Sequence, residues 1–96
     1  MNHALFDWDD ANISHVAEHG INPEEAEQAV LGNPLEFGFD RSTEGEDRWS
    51  YIGDTANGDV LQVVITIREE RIRVVTAFEP TRQDKMLYLE FRAGLQ

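Results

Sequence analysis

DVLQVVITIREERIRVVTAF, residues 59–78, holds two runs of alternating apolar residues on either side of Glu69-Glu70. In the first run Leu61, Val63, Ile65 and Ile67 share one face, and Val60, Gln62, Val64 and Thr66 share the other. In the second, Ile72, Val74, Thr76 and Phe78 share a face, with Arg71, Arg73, Val75 and Ala77 opposite. A period of two marks a strand, because successive side chains leave a pleated chain on opposite sides. Two such runs around a two-residue connection predict an antiparallel hairpin at the heart of a sheet.

The neighbouring segments extend that sheet. Asn57-Gly58 is a hairpin signal, since both residues tolerate positive φ. Before it, Trp49 and Tyr51 alternate with Ser50 and Ile52, and Leu35, Phe37 and Phe39 alternate in turn. Arg41 to Asp47 is polar and reads as a loop. Further back, Asn22 can cap a helix, with Pro23 at its first position and Glu25 placed to reach back to the cap; Ala26, Ala29 and Val30 form its apolar stripe, and Gly32-Asn33-Pro34 ends it. An earlier helix starts from Asp9 or Asp10, buries Ile13, Val16 and Ala17, and stops at Gly20. Ahead of it, Leu5 to Asp9 alternates as a short strand with Phe6 and Trp8 inward. At the other end, Thr81 and Asp84 cap a last helix carrying Leu87, Tyr88 and Phe91. Two helices, a meander of about four strands and a closing helix predict an α+β fold with an antiparallel sheet.

With 96 residues the chain has room for a single domain over 1–96, and the 41% of apolar residues are spread along it, which excludes a mainly disordered polar chain. It has no Cys, which removes thiol catalysis and disulfides and favours a reducing compartment. No apolar run approaches the roughly 18 residues of a membrane span, so the expected location is cytoplasmic. The formal net charge is −11, and it is unevenly placed. Residues 1–40 hold Asp7, Asp9, Asp10, Glu18, Glu24, Glu25, Glu27, Glu36 and Asp40 and no Lys or Arg; every basic residue lies at or after Arg41. Binding to nucleic-acid phosphates needs local positive charge, which only the second half supplies. The first half would attract a basic protein.

Several segments, in order, resemble the BrnT-like toxin family. They are Phe6-Asp7-Trp8-Asp9, Asn12, His15, His19-Gly20-Ile21 and Pro23-Glu24-Glu25-Ala26; then Asn33-Pro34, Glu44-Gly45-Glu46, Arg48 and Tyr51-Ile52-Gly53; then Arg71, Arg73-Val74-Val75, Ala77, Thr81-Arg82, Lys85 and Tyr88. The resemblance implies a RelE-like sheet with flanking helices, and an endoribonuclease toxin of a type II toxin–antitoxin pair that a cognate antitoxin silences. That partner is expected to be a DNA-binding protein of the ribbon-helix-helix type. A chain at −11 is itself poorly suited to binding DNA. The sequence also departs from the family: Thr76-Ala77-Phe78 stands where Ser-Ala-Arg is common, so an aromatic ring replaces a cation; Glu79-Pro80 follows where the family is less acidic; and the chain is strongly acidic where many relatives are basic.

The activity implied by the resemblance needs no metal or cofactor. The ribose 2′-OH attacks the adjacent phosphate, cations stabilise the phosphorane-like transition state, and other groups move protons. Arg73, Arg82, Lys85, Tyr88 and Glu46 are the catalytic candidates, with Glu46 and Tyr88 as proton-handling groups and Arg48 and Arg71 binding substrate. Arg71 and Arg73, two apart, share a strand face; Arg82 and Lys85, three apart, are helix neighbours. The two pairs converge if the last helix packs over the end of the sheet. The plainer reading makes them surface charges paired with Glu69, Glu70, Glu79 and Asp84.

Other patterns carry less. His15 and His19 have the spacing of metal ligands on a helix but lack a third ligand in register. Asp7, Asp9 and Asp10 are better used as cap and surface than as a Mg²⁺ cluster, and Gly45, Gly53 and Gly58 read as turns. Trp49 and Tyr51 could stack RNA bases but at period two suit a core or an interface. A second reading of the chain stays open: a weak or inactive relative that serves as a protein-binding partner of a DNA-binding antitoxin or repressor, favoured by the acidic first half and Phe78.

Overall fold

A computed structural model describes residues 5–41 and 45–94. The two runs around Glu69-Glu70 are strands β3 (Val60–Arg68) and β4 (Arg71–Phe78), paired antiparallel. Both turn residues adopt positive φ, 54° at Glu69 and 66° at Glu70. That handedness matches the twist of the strands, but it is unfavourable for residues with a Cβ. The meander is completed by β1 (Leu35–Asp40) and β2 (Arg48–Asp54), giving one antiparallel sheet in the order β1-β2-β3-β4. Between β2 and β3 the chain turns at Asn57-Gly58, with Gly58 at φ 87°. Together with three helices this is the α+β fold expected.

Two of the helices pack on one face of the sheet. Helix α1 (Asp10–Ala17) is capped by Asp9 in a reciprocal box with Asn12, and α2 (Pro23–Leu31) by Asn22 in a box with Glu25. Phe6, Val16, Ala26, Ala29, Val63, Val74 and Ala77, all at most 1% exposed, join these helices to the sheet. Helix α2 lies so close to β2 that a Cβ at Gly53 would stand 2.0 Å from the carbonyl oxygen of Ala29. On the opposite face, α3 (Arg82–Arg92) covers one end only, where Tyr88 packs with Ile52 and Val60 beside Leu35, Phe37 and Phe91. No described helix is long and apolar enough to cross a membrane.

The structure corrects the strict alternation in two strands. Register shifts lie between Glu36 and Gly38 in β1 and opposite Val64/Ile65 in β4, where Val75 is the unpaired residue. An extra residue reverses the parity of everything beyond it. Leu35 and Phe37 therefore pack beneath α3, while Phe39 pairs with Trp49 at 5.4 Å between rings. In β4, Val74 and Ala77 share the core, and Thr76 and Phe78 do not continue the face of Ile72 and Val74. A third correction concerns Leu5 to Asp9. It forms no strand of its own but a single parallel bridge, Phe6 to Ile72, because the chain turns away at once to cap α1. Within α1, Ala17 is exposed, and the buried position is taken by Asn12.

Candidate active site

The end of the sheet that α3 leaves open carries a row of cations. Arg73 opposes Thr66 across β3 and β4, and Arg48 lies one residue beyond the Trp49–Ile65 pair, so both belong to the rung of Thr66. Thr66 is 1% exposed, and its hydroxyl donates to the carbonyl of Asp47 at 2.7 Å, which ties down the segment between Glu46 and Arg48. One rung further, Arg68 closes the hairpin opposite Arg71. Arg48, Arg68, Arg73 and Glu46 then meet Ala11, Asn12 and His15 of α1 around an open cleft of ≈ 220 Å³.

The charges in this cleft are organised. Glu46 accepts from Arg68 at 2.9 Å. That hydrogen bond, with the fields of Arg68, Arg48 and Arg73, holds its carboxyl below the ordinary 4.5. Arg73, whose side chain is 13% exposed, pairs with Asp9 at 3.1 Å and Asp7 at 3.4 Å. The Asp9 hydrogen bond lowers the Asp9 carboxyl from its ordinary 3.8 and raises the guanidinium further, so both stay charged. Arg71 donates to the carbonyl of Phe6 and lies 3.9 Å from Asp7. Arg48 is exposed and, among the described residues, is in no ion pair.

Asn12 is the clamp behind this arrangement. Its amide donates to the carbonyls of Asp7 at 3.0 Å and Val74 at 3.1 Å, and its oxygen accepts from the Asp9 N–H at 2.8 Å. One buried side chain thus fixes the N-terminal segment, the start of α1 and the backbone next to Arg73. His15, 48% exposed in its side chain, projects from the next turn of α1 into the same cleft and lies 3.9 Å from Glu18.

The residues singled out from the sequence fall into two groups. Arg73, Arg48 and Glu46 come together, with Arg71 beside them. Arg82 and Lys85 are exposed at the start of α3, with Arg82 on a shallow surface of that helix beside Met86 and Glu90. Tyr88 is 1% exposed in the core under α3, where burial and the nearby Asp54 carboxylate push its phenol above the ordinary 10. Its neighbour Val60 is six residues along β3 from Thr66, roughly 20 Å. The two groups are not brought together. Arg68 and His15 joined the cleft without having been named as catalytic or substrate-binding candidates; Arg68 was legible, since it shares the strand face of Thr66 and stands across the hairpin from Arg71. His19 turns away toward Phe78, 6.2 Å between ring centres. Among the described residues, no three His, Asp or Glu side chains gather as a metal cage.

An open cleft with three guanidinium groups, one carboxylate and one imidazole can grip a phosphate and move protons beside it. No individual curated protein matches the chain. The family model described as the ribonuclease toxin BrnT, of type II toxin-antitoxin systems, matches residues 8–84, from Trp8 to Asp84, and the chain belongs to that family.

Proposed function

We propose that this chain cleaves RNA by attack of a ribose 2′-OH on the adjacent phosphate, with guanidinium groups rather than a bound cation supplying the positive charge. The observation that carries this reading is the meeting of Arg48, Arg68 and Arg73 with Glu46 and His15 in one cleft. Arg48 and the outward edge of Arg73 hold the reacting phosphate, and their charge stabilises the extra negative charge of the transition state. Arg68 orients Glu46 and adds its field. Glu46 and His15 flank the phosphate as proton acceptor and donor. Arg71 holds the N-terminal segment and lends charge at the rim. Arg82 and Lys85, at the far end of the sheet, contact RNA beyond the reacting phosphate, and Tyr88 seats α3.

The family's type II systems pair a toxin with an antitoxin. We take this chain's partner to be a basic, DNA-binding protein of the ribbon-helix-helix type, drawn by the acids of residues 1–40. Induction without that partner should arrest growth, and Arg48→Ala or Arg73→Ala should relieve the arrest. Unchanged arrest by both variants would refute the assigned site.

Two observations favour the second reading, a protein-binding role without turnover. Arg73 is already held by two carboxylates, and Phe78 packs near His19 where the family commonly has an Arg. That reading expects no arrest but tight co-purification with the antitoxin.

A further inference from the structure

Between the arginine rung and α3 the same sheet face has a trough of ≈ 430 Å³, within the range of small-molecule sites. Its floor is the rung Gly38–Ser50–Val64–Thr76, four small residues paired across all four strands and each half-buried. It shares Arg48 and Val75 with the phosphate cleft, so the two are continuous. We propose that this trough receives a nucleobase of the RNA whose phosphate is held at Arg48 and Arg73. The inference rests on the reading of that cleft as a phosphate site, and it adds where the base goes.

The chemistry of the trough suits a base better than a second phosphate. Ser50, Val64 and Thr76 carry no charge, and a rung lies about 7 Å from the next on the same face, the reach from a phosphate to its own base. Recognition of a base needs flat apolar contact and a few hydrogen-bonding groups on its edge. Phe37 supplies an aromatic wall on the α3 side, and Val64 an apolar floor. Gln62 donates one N–H to the Ser50 hydroxyl at 3.1 Å, so its amide is oriented and retains one acceptor and one donor. Asp40, at the β1 rim opposite Arg48, is the carboxylate lining the trough, and it would turn a phosphate away from that edge. Gly38 is the gate: its φ is ordinary, and a Cβ there would meet only Ser50, at 3.9 Å. A large side chain at 38 can therefore fill the trough without disturbing the sheet.

The test is ¹⁵N NMR titration of the purified chain with inorganic phosphate and with each of the four ribonucleoside 3′-monophosphates. Phosphate should shift amides around Arg48 and Arg73 only. At least one nucleotide should also shift Gly38, Ser50 and Val64 and bind at least about fivefold more tightly than phosphate. Gly38→Phe should remove that gain and leave phosphate binding unchanged. Should Gly38→Phe alter the spectrum throughout, Gln62→Ala serves instead, and it should change the ranking of the four bases. Nucleotide shifts confined to the arginine rung, or a gain untouched by either variant, would overturn the proposal. Nucleotide binding in the trough by a preparation that cleaves no RNA would support the trough and refute the ribonuclease reading; no shift with any ligand would refute both.

Discussion

Adding one methyl group at Gly53 should disrupt the contact between α2 and the sheet. A Cβ built at Gly53 falls 2.0 Å from the carbonyl oxygen of Ala29, 2.8 Å from its carbonyl carbon and 3.1 Å from its Cα. All three are backbone atoms in the last turn of α2, so no side-chain rotation relieves the clash. The helix must move by about 1 Å or more, and Ala26 and Ala29, 0% and 1% exposed, must leave their seats with it. Overpacking a core costs typically 1–3 kcal/mol, and a rigid helix backbone places this case at about 3 kcal/mol or above. Against a total of roughly 5–14 kcal/mol for a chain of this length, that is a large fraction. Urea unfolding of Gly53→Ala should show a midpoint lower by about 3 M or more, taking a slope near 1 kcal/mol per M. Gly38→Ala is the control: its Cβ meets only Ser50, at 3.9 Å, and should change stability by less than about 0.5 kcal/mol. Equal midpoints for the two variants would refute the close approach of α2 to β2.

Asn12→Ala should cost about 2–3 kcal/mol, because it leaves the buried Val74 carbonyl without its side-chain donor; thermal unfolding measures this, and amide exchange should speed up across Asp7–Asp10 as well. Glu70→Gly should stabilise the chain by about 0.5–1 kcal/mol by relieving the φ of 66° at the β3–β4 turn, and a lower melting temperature would contradict it. The folded carboxyls of Asp9 and Glu46 lie below their ordinary 3.8 and 4.5, so their contribution is full above those values and is lost as pH falls through the lowered ones. Melting temperatures of Asp9→Asn and Glu46→Gln should therefore fall below wild type at pH 7 and converge on it in acid; a constant gap at every pH would count against the pairing with Arg73 and Arg68.

The elements were legible because their signals are local. The caps at Asp9, one of two candidates with Asp10, and at Asn22, Pro23 at a first helical turn, the stop at Gly20 and the turn at Asn57-Gly58 each depend on a few adjacent residues, and each agrees with the sequence reading. The bulges at Phe37 and Val75 were not legible, since an unpaired residue in one strand is decided by the strand it faces. That miss matters for the site, because Val75 lines both the cleft and the trough. Arg71 and Arg73 were correctly placed on one strand face, as both precede the bulge. The convergence of Arg82, Lys85 and Tyr88 with them was not found, because which end of the sheet α3 covers depends on the apolar seat offered by Ile52 and Val60. Asn12 and Glu27 were invisible as buried polar residues: their burial follows from partners distant in sequence, Val74 for one and the Trp8 indole, at 2.8 Å, for the other.

In the proposed reaction, arginines in the cleft of β2, β3 and β4 drive the phosphate chemistry. Its most direct test is incubation of the purified chain, free of antitoxin, with a mixed-sequence RNA in excess EDTA, followed by analysis of the new ends. Attack by the 2′-OH predicts 2′,3′-cyclic phosphate and 5′-hydroxyl termini, formed at the same rate with and without EDTA and slowed on the order of 10²–10³-fold by Arg48→Ala or Arg73→Ala. Termini with 3′-hydroxyl and 5′-phosphate, loss of cleavage in EDTA, or undiminished cleavage by both variants would contradict it.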